Sequence, residues 1–356
     1  MQRQPLIFQY GKVFKDTDTF CISAHAYKMR SLEKFLLGAP IDLLYTAESS
    51  GEPSFNSVGI DDRLVVRRFE RWLEQRDAAH RFLGILHFNG THVPYHVPAE
   101  FRVFDSRPRD PINPDSGWDD RARYDEGVLY FDHNMASVLE SLRRHGLLEN
   151  TAILFTADHA EAMRERGFVG HTMKEPYFDE VLHIPFWIYL PPALSERFGP
   201  ALRGNAARNA SNVDIVPTVI DLLGLWEEPR VARAAAGLPG SSLLRPLPEG
   251  RAILVENWPG SLRLNPGLAI IHDDRRFIYH RANFEAPIAW YDLDHDPEEK
   301  RNLWPNLLEN EIELVRSVLE GVQSPLHAEL LERLRQGPGA MTAKGADSSA
   351  DRNAPN

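Results

Sequence analysis

The stretch AILFTADHAE, residues 152–161, is an apolar run that ends in charged and imidazole side chains. A short run that is apolar almost throughout is typical of a strand buried on both faces of a parallel sheet. In open α/β sheets, ligands bind beyond the carboxyl ends of the strands, which is where Asp158 and His159 stand. A carboxylate beside an imidazole at that edge indicates a pair of metal ligands. The residues alone leave open a polar loop in which Asp158 caps a helix.

Two further histidines stand in similar surroundings. FVGH at 168–171 brings His171 to a position 13 residues after Asp158. Earlier in the chain, FNGTHVPY at 88–95 follows another apolar run and contains His92. The proline of that stretch restricts the backbone as it leaves the strand. Each histidine is either a structural residue or a catalytic one, and its own surroundings do not decide between the two.

Four apolar runs predict buried strands, at residues 19–23, 82–88, 152–157 and 185–190. Before the third of them, apolar residues recur at three- and four-residue steps from Val128 to Leu142, and Gly146 supplies a stop. This spacing predicts an amphipathic helix. Strands that alternate with such helices predict an α/β sandwich, with a mostly parallel central sheet flanked by helices.

The C-terminal part of the chain has a different pattern. Residues 230–250 are rich in Ala, Gly, Pro and Leu and predict a connection. Three strand-like pieces and a long helix at 305–335 follow, and predict a small α+β subdomain. The last residues are small and polar, with too little apolar surface to order them. The predicted division is a core at 1–228, a subdomain at 229–335 and a disordered tail at 336–356.

Composition excludes several classes of function. The 356 residues include 40 Lys+Arg and 51 Asp+Glu, a net charge of −11, which argues against nucleic-acid binding. A single cysteine, Cys21, excludes a disulfide within the chain and a cysteine-based zinc cluster. No apolar run approaches the roughly 20 residues that span a bilayer, and no secretory signal opens the chain. On that basis we expect no membrane span and a cytoplasmic location; nothing indicates the oligomeric state.

Taken together and in order, four motifs resemble the sulfatase-like branch of the alkaline phosphatase superfamily. They are THVPY at 91–95, YDEGVLYFD at 124–132, TADHAE at 156–161 and GH at 170–171. The stretches HIPFWIYLP, NVDIVPTVIDLLG and WYDLDHDPEEKRNLW resemble the rest of the family's pattern, so the likeness covers most of the chain. The branch includes sulfatases, phosphonate monoester hydrolases, and phosphoethanolamine and phosphoglycerol transferases. The resemblance implies an alkaline-phosphatase-like sandwich.

The same resemblance implies metal-dependent cleavage of a small anionic sulfate or phosphate ester. Asp158 and His159 resemble the family's ligands to a divalent ion, which would be manganese, zinc or calcium. His92 and His171 resemble the imidazoles that contact the ester oxygens and protonate the leaving group. The chemistry agrees, because a tetrahedral anionic ester needs its charge neutralised and its leaving oxygen protonated.

Two more residues near the second motif are candidates for the site. Glu161 is expected to hydrogen-bond a metal ligand or a backbone amide and so hold the loop, without binding the ion itself. Lys174 either contacts the substrate anion or is a solvated surface lysine. Ala160 stands where the family usually has glycine, which has no Cβ to hinder a close approach of the backbone.

The nucleophile is where the chain departs from the family's pattern. Family members begin with a strand that carries acidic metal ligands and a helix that bears the nucleophile, and no stretch of this sequence resembles that segment. Cys21, in TFCISAH, lacks the proline and arginine that accompany a sulfatase nucleophile, and is interpreted as a buried strand residue. Ser54 follows the first recognisable segment and is a poor alternative. We therefore assign no nucleophile and expect an N-terminally incomplete or non-catalytic relative.

Three functions remain open from the sequence. The first is a sulfatase-like hydrolase, catalytically incomplete where the nucleophile segment is missing. The second is a phosphoethanolamine- or phosphoglycerol-type transferase. The third is a non-catalytic module that binds an anion without converting it.

Two acidic groups are interpreted as structural. Asp61 and Asp62 precede the helical pattern LVVRRFERWLEQR and are interpreted as charges that favour the helix dipole. The acidic residues at 292–299 lack the spacing of a calcium-binding EF-hand loop and are interpreted as a turn.

Overall fold

The computed structural model describes residues 5–28, 32–36, 38–55, 58–104, 120–167, 169–171, 177–257, 267–280, 287–306, 309–320 and 325–335. The predicted tail at 336–356 lies outside these residues. The helices are α1 Ile7–Gly11, α2 Glu33–Leu36, α3 Ala47–Ser50, α4 Arg63–Gln75, α5 Asp120–Arg144, α6 Asp179–Leu182, α7 Pro192–Asn205, α8 Ile215–Leu222, α9 Pro229–Ala235, α10 Glu309–Glu320 and α11 Pro325–Arg335.

The strands alternate with these helices along most of the chain. They are β1 Thr17–Ser23, β2 Leu43–Tyr45, β3 Arg81–His87, β4 Ile153–Thr156, β5 Ala162–Met163, β6 Val169–Gly170, β7 Phe186–Tyr189, β8 Ala252–Asn257, β9 Gly267–His272, β10 Arg275–His280 and β11 Ile288–Asp292. Each of the four runs predicted as a buried strand contains a strand of the structure, namely β1, β3, β4 and β7.

The chain divides into two compact units. The first comprises Met1–Leu154, Trp187–Ala201 and Val213–Arg245, and the second Phe155–Phe186, Leu202–Asn212 and Pro246–Asn356. The domain boundaries that the sequence suggests, at 228 and 335, stay a prediction.

A parallel sheet in the order β2-β1-β3 forms the centre of the first unit. Cys21 on β1 lies opposite Leu44 on β2 and Ile85 on β3. Apolar side chains of β1 pack against α4, with the Phe20 ring 4.4 Å from the Trp72 ring between centroids. Strand β1 is buried along nearly its whole length, although only Phe20, Cys21 and Ile22 of its seven residues are apolar.

Helix α5 covers the amphipathic stretch predicted before Gly146, and that glycine follows the helix with a φ of 66°. Its buried face agrees with the prediction at Val138 and Leu142 and differs from it nearer the start of the helix. Val128 is exposed, whereas Tyr130 and Asn134 are buried. The apolar periodicity misplaces the face because the N-terminal half of α5 buries polar groups, a feature that a count of apolar residues cannot detect.

The second unit contains an antiparallel sheet in the order β11-β10-β9-β8. Its core is shared with the two C-terminal helices, through residues such as Phe277, Trp290, Val315 and Leu330. The small α+β arrangement that the sequence predicts is present here. Strand β11 was not anticipated, because its sequence, IAWYD, is short and ends in a charge.

Two predictions for the C-terminal part are wrong. The single helix at 305–335 is two helices, because Pro325 begins α11 and a proline is favourable in a first turn but not inside a helix. The connection at 230–250 contains most of α9, which has Pro229 in its first turn and accepts a capping hydrogen bond at the Glu228 side chain.

Among the described residues, no helix combines the length and the apolar character that a membrane span requires. The fold is mixed α/β with a parallel sheet and flanking helices, as the sequence predicts. The loops that follow β3 and β4 carry His92 and His159 of the sequence motifs.

Candidate active site

Strand β4 ends at Thr156, and the loop that follows carries Asp158 and His159. The side chain of Asn212 holds this loop, because its Nδ2 donates to the carbonyl oxygens of Ala157 at 2.9 Å and of Asp158 at 3.5 Å. The hydroxyl of Thr156 in turn donates to Asn212 Oδ1 at 3.1 Å. The loop backbone is therefore fixed by a side chain from a segment more than fifty residues away.

His159 is oriented by its own neighbours. Its Nδ1 lies 3.0 Å from the carbonyl oxygen of Ala160, to which it donates, so Nε2 carries the lone pair that can bind a metal. The amide of Ala160 donates to the carbonyl of Val181 at 2.9 Å. Ala160 is thus accommodated in the position where the family usually has glycine.

A short hairpin brings Glu161 and His171 together. Strands β5 and β6 pair in antiparallel register, with Ala162 opposite Gly170, and this glycine adopts a φ of 94°. His171 Nδ1 then donates to Glu161 Oε1 at 2.6 Å. The Glu161 carboxylate is only 7% exposed, and the ring of His171 stacks on that of His159 with centroids 3.5 Å apart.

The three side chains form the one group of metal-type donors found among the residues that the structure describes. One donor atom from each of His159, Glu161 and His171 lies within 4.8 Å of the other two. Two imidazoles and one carboxylate are a donor set that zinc and manganese accept, so these residues fit a divalent ion of that kind. The sequence assigned Glu161 a supporting role, but its carboxylate stands with the imidazoles.

Asp158 lies next to His159, at the exposed side of the group. Its side chain is 82% exposed, and Oδ2 lies 3.7 Å from Nε2 of His159. Asp158 Oδ1 accepts the amide hydrogen of His159 at 3.1 Å. It is not part of the group of three donors, and its role as a ligand stays a prediction. Lys174 lies outside the described residues.

His92 belongs to the first unit, in the loop that follows β3. Its Nδ1 donates to the carbonyl of Val93 at 2.6 Å, which leaves Nε2 as the acceptor. The ring lies 6.1 Å from that of His25, which stacks on His87 at 5.6 Å between centroids. Three imidazoles therefore gather at the carboxyl ends of β1 and β3.

Sequence reasoning missed His25 and His87. His87 ends β3, and its Nδ1 lies 3.1 Å from Ser23 Oγ and 3.2 Å from Tyr27 Oη. The available signal was that both histidines follow or end an apolar run, as His92 does. Only the parallel register, which pairs Ser23 with His87, shows that these ends are adjacent.

The two residues considered as nucleophiles are poorly placed for that role. Cys21 lies in β1 with 1% exposure, which confirms its interpretation as a buried strand residue. Burial raises the pKa of its thiol, which disfavours the reactive thiolate. Ser54 is exposed in the loop before α4.

Comparison with known proteins identifies the family. The model of the family described as Sulfatase matches residues 12–225, which is more than half of the chain. The chain belongs to the sulfatase family. Its predicted membership among the sulfatase-like proteins is confirmed, and so is the alkaline-phosphatase-like fold.

Two relatives and one solved structure illustrate the place of the chain among the sulfatases. It is 26% identical over 187 residues to a choline-sulfatase from Rhizobium meliloti, an overlap of 52% of this chain and 33% of that protein. It is 27% identical over 172 residues to the Kdo(2)-lipid A phosphoethanolamine 7''-transferase from Escherichia coli, with 47% and 30% covered. The chain thus spans about a third of the length of these curated relatives.

The solved structure is a member of the alkaline phosphatase superfamily from Vibrio parahaemolyticus. It matches with a TM-score of 0.53 and 15% identity, over 94% of this chain and 69% of that chain. At this identity the likeness concerns the fold alone.

If the group of His159, Glu161 and His171 binds Zn²⁺, Asn212→Ala is expected to weaken that binding about tenfold, because residues that orient metal ligands contribute a factor of this size. The substitution removes both hydrogen bonds that hold the loop of Asp158 and His159. Titration calorimetry measures the effect. Asn209→Ala is the control, since Asn209 donates to the carbonyl of Asp273 and does not contact the loop. Equal affinities of the two variants would contradict the role given to Asn212.

Proposed function

We propose that this chain is a metal-dependent hydrolase of small sulfate or phosphate esters. The observation that carries the proposal is the group of His159, Glu161 and His171, with donor atoms within 4.8 Å, just beyond the end of β4. The likeness to a choline-sulfatase, 26% over half of the chain, supports a sulfate ester as the substrate. Zinc and manganese fit the donor set better than calcium, which prefers oxygen ligands.

Each residue of the site would have a separate role in metal binding or in proton transfer. His159, Glu161 and His171 would hold the ion, and Asp158, 3.7 Å from the Nε2 of His159, is a further candidate ligand. When bound, a divalent ion neutralises charge on the ester oxygens. In its doubly protonated form, His92 would donate the Nε2 proton to the leaving oxygen, since its Nδ1 proton is engaged by the carbonyl of Val93. Neither Cys21 nor Ser54 is assigned as nucleophile.

The first test is metal binding. Metal-stripped protein is titrated with Zn²⁺ and with Mn²⁺, and we expect one ion per chain. His295→Ala is a control, because this exposed histidine contacts Asp292 and is not one of the three donors. Absence of stoichiometric binding would overturn the proposed metal dependence.

The second test is turnover of 4-nitrophenyl sulfate and bis(4-nitrophenyl) phosphate with and without the added ion. We expect metal-dependent release of 4-nitrophenol, with the sulfate the better substrate. Metal binding and saturable sulfate binding without release would favour the non-catalytic anion-binding alternative.

A transferase is the second candidate, favoured by the 27% identity to a phosphoethanolamine transferase. The two enzymes differ in the final acceptor of the transferred group. With bis(4-nitrophenyl) phosphate and a short alcohol added, a transferase forms the mixed alkyl 4-nitrophenyl phosphate diester at the expense of the hydrolysis product, 4-nitrophenyl phosphate. A product ratio that is independent of the alcohol would favour the hydrolase.

A further inference from the structure

Asp62 is buried at the start of α4, with 1% of its surface exposed. Asp62 stands at the N-cap position that the sequence interpretation gives it, but its side chain makes no capping bond to its own helix. Both carboxylate oxygens face the loop after β3 instead. Oδ1 accepts the amide hydrogen of Asn89 at 2.8 Å, and Oδ2 that of Gly90 at 2.8 Å.

This contact fixes the loop that carries His92. The carbonyl of Asn89 accepts the amide hydrogen of His92 at 3.1 Å, and the carbonyl of His92 accepts that of Tyr95 at 2.8 Å. A continuous set of hydrogen bonds therefore runs from the Asp62 carboxylate through Asn89 to the backbone of His92. Displacement of the first bond would shift the imidazole.

Helix α5 closes this arrangement from the other side. A Cβ added at Gly90 would lie 2.9 Å from Asp62 Oδ2 and 3.1 Å from Cδ1 of Tyr130, and one added at Gly127 would lie 2.6 Å from the carbonyl oxygen of Gly90. The hydroxyl of Tyr130 also donates to Asp61. The helix motif YDEGVLYFD thus supplies a glycine for the close approach and a tyrosine that links α5 to the start of α4.

We propose that Asp62 is a positioning residue, whose carboxylate holds the Asn89–Gly90 backbone and so places the imidazole of His92. The importance of this for catalysis rests on the role that the proposed function gives to His92. The contact itself does not depend on metal or substrate, so it can be tested in the protein alone.

The environment of Asp62 gives the test its pH range. Burial raises the pKa of the Asp62 carboxyl to about 7, the two amide donors oppose the rise, and the neighbouring charge of Asp61 adds to it. Tyr130 of α5 is a second titratable group that interacts electrostatically with Asp62. An amide that donates to a carboxylate changes its environment when the carboxylate is protonated, so the Gly90 amide reports the ionisation of Asp62.

Asn89-Gly90 is the single Asn-Gly pair in the sequence. Labelling with carbonyl-¹³C asparagine and ¹⁵N glycine therefore gives one carbonyl-linked amide signal, that of Gly90. In the wild type we expect this proton signal to move upfield as the pH falls through about 7. Asp62→Asn removes the response, whereas the matched control Asp61→Asn retains it.

Hydrogen exchange and the His92 ring complete the test. We expect the Gly90 amide hydrogen to exchange about tenfold faster in Asp62→Asn, which is the effect of losing one buried hydrogen bond. We also expect the NMR signals of the His92 ring to shift in Asp62→Asn. These ring signals are assigned by comparison with His92→Gln. A wild-type Gly90 amide without a pH response would overturn the contact. Unchanged His92 ring signals in Asp62→Asn would overturn the positioning role. Neither result bears on metal binding, so failure here is distinguishable from failure of the proposed function.

Discussion

Replacing His171 with alanine is expected to weaken the binding of Zn²⁺ about 100-fold or more, since even the loss of a residue that only supports a ligand costs a factor of ten to 100. The substitution removes one of three donors that lie within 4.8 Å of each other. It also removes the ring that stacks on His159 and donates to Glu161 at 2.6 Å. Titration calorimetry on metal-stripped protein measures the change.

The same measurement separates two roles for His171. The sequence assigns it to the ester oxygens and the leaving group, whereas its position beside Glu161 and His159 favours a role as ligand. If His171 acts only on the ester, the variant keeps its zinc affinity and loses turnover alone. An unchanged affinity would therefore contradict the ligand role and support the catalytic one.

Asp158→Ala serves as the comparison within the site. Because the Asp158 carboxylate is 82% exposed and outside the group of three donors, we expect a smaller loss of affinity than for His171→Ala. A larger loss in Asp158→Ala would show that this aspartate is the principal ligand, as its motif suggests. His295→Ala controls for the loss of any histidine from the surface.

Replacing Arg276 with methionine is expected to have the largest effect on stability. Arg276 on β10 donates to Glu299 Oε1 at 2.6 Å and to Asp179 Oδ1 at 2.8 Å. The side chains of Arg276 and Glu299 are 3% and 0% exposed. Removing Arg276 leaves the buried Glu299 carboxylate with Arg166 as its remaining cationic partner, at 3.2 Å. We expect a loss of about 3 kcal/mol in the free energy of unfolding, measured with urea.

A matched control lies next to it in the sequence. Arg275 on the same strand pairs with Asp292 near the surface, and its side chain is about one third exposed. We expect Arg275→Met to cost less than about 1 kcal/mol, as exposed ion pairs usually do. The double variant Arg276→Met/Glu299→Met should recover part of the loss, because it removes the buried carboxylate as well.

The pH dependence follows from Glu299. Burial raises the pKa of this carboxyl, while the guanidinium groups of Arg276 and Arg166 oppose the rise. A carboxyl with a raised pKa contributes stability that is lost as the pH rises through its folded-state pKa. Without Arg276 that loss grows, so Arg276→Met should be more destabilised at neutral pH than near the usual carboxyl pKa. An equal deficit at both pH values would contradict the role of the Glu299 charge.

Much of the fold was predictable because it depends on local patterns. All four apolar runs contain strands, and Gly146 follows α5 as expected, since periodicity and stop signals are encoded in neighbouring residues. The errors have a common origin. The buried face of α5 contains polar groups, and Pro325 begins a second helix within a stretch whose helical pattern continues on both sides of it.

The candidate site was predictable only in part. Motif spacing placed His159 and His171 near one another in the expected fold, and the structure brings their rings to 3.5 Å between centroids. His25 and His87 were missed because their proximity depends on the pairing of β1 with β3. Their sequence surroundings contain no motif that marks them.

The sequence by itself determined the family, the order of most strands and helices, and the presence of imidazoles just beyond strand ends, because motif spacing and periodicity are local properties. The tertiary structure decided which polar side chains meet. Glu161 contacts His171 because the β5–β6 hairpin returns the chain, and Asp62 contacts the loop of His92 because α4, α5 and β3 bury it together. Both contacts depend on strand register and on burial between separate segments, which local composition does not encode.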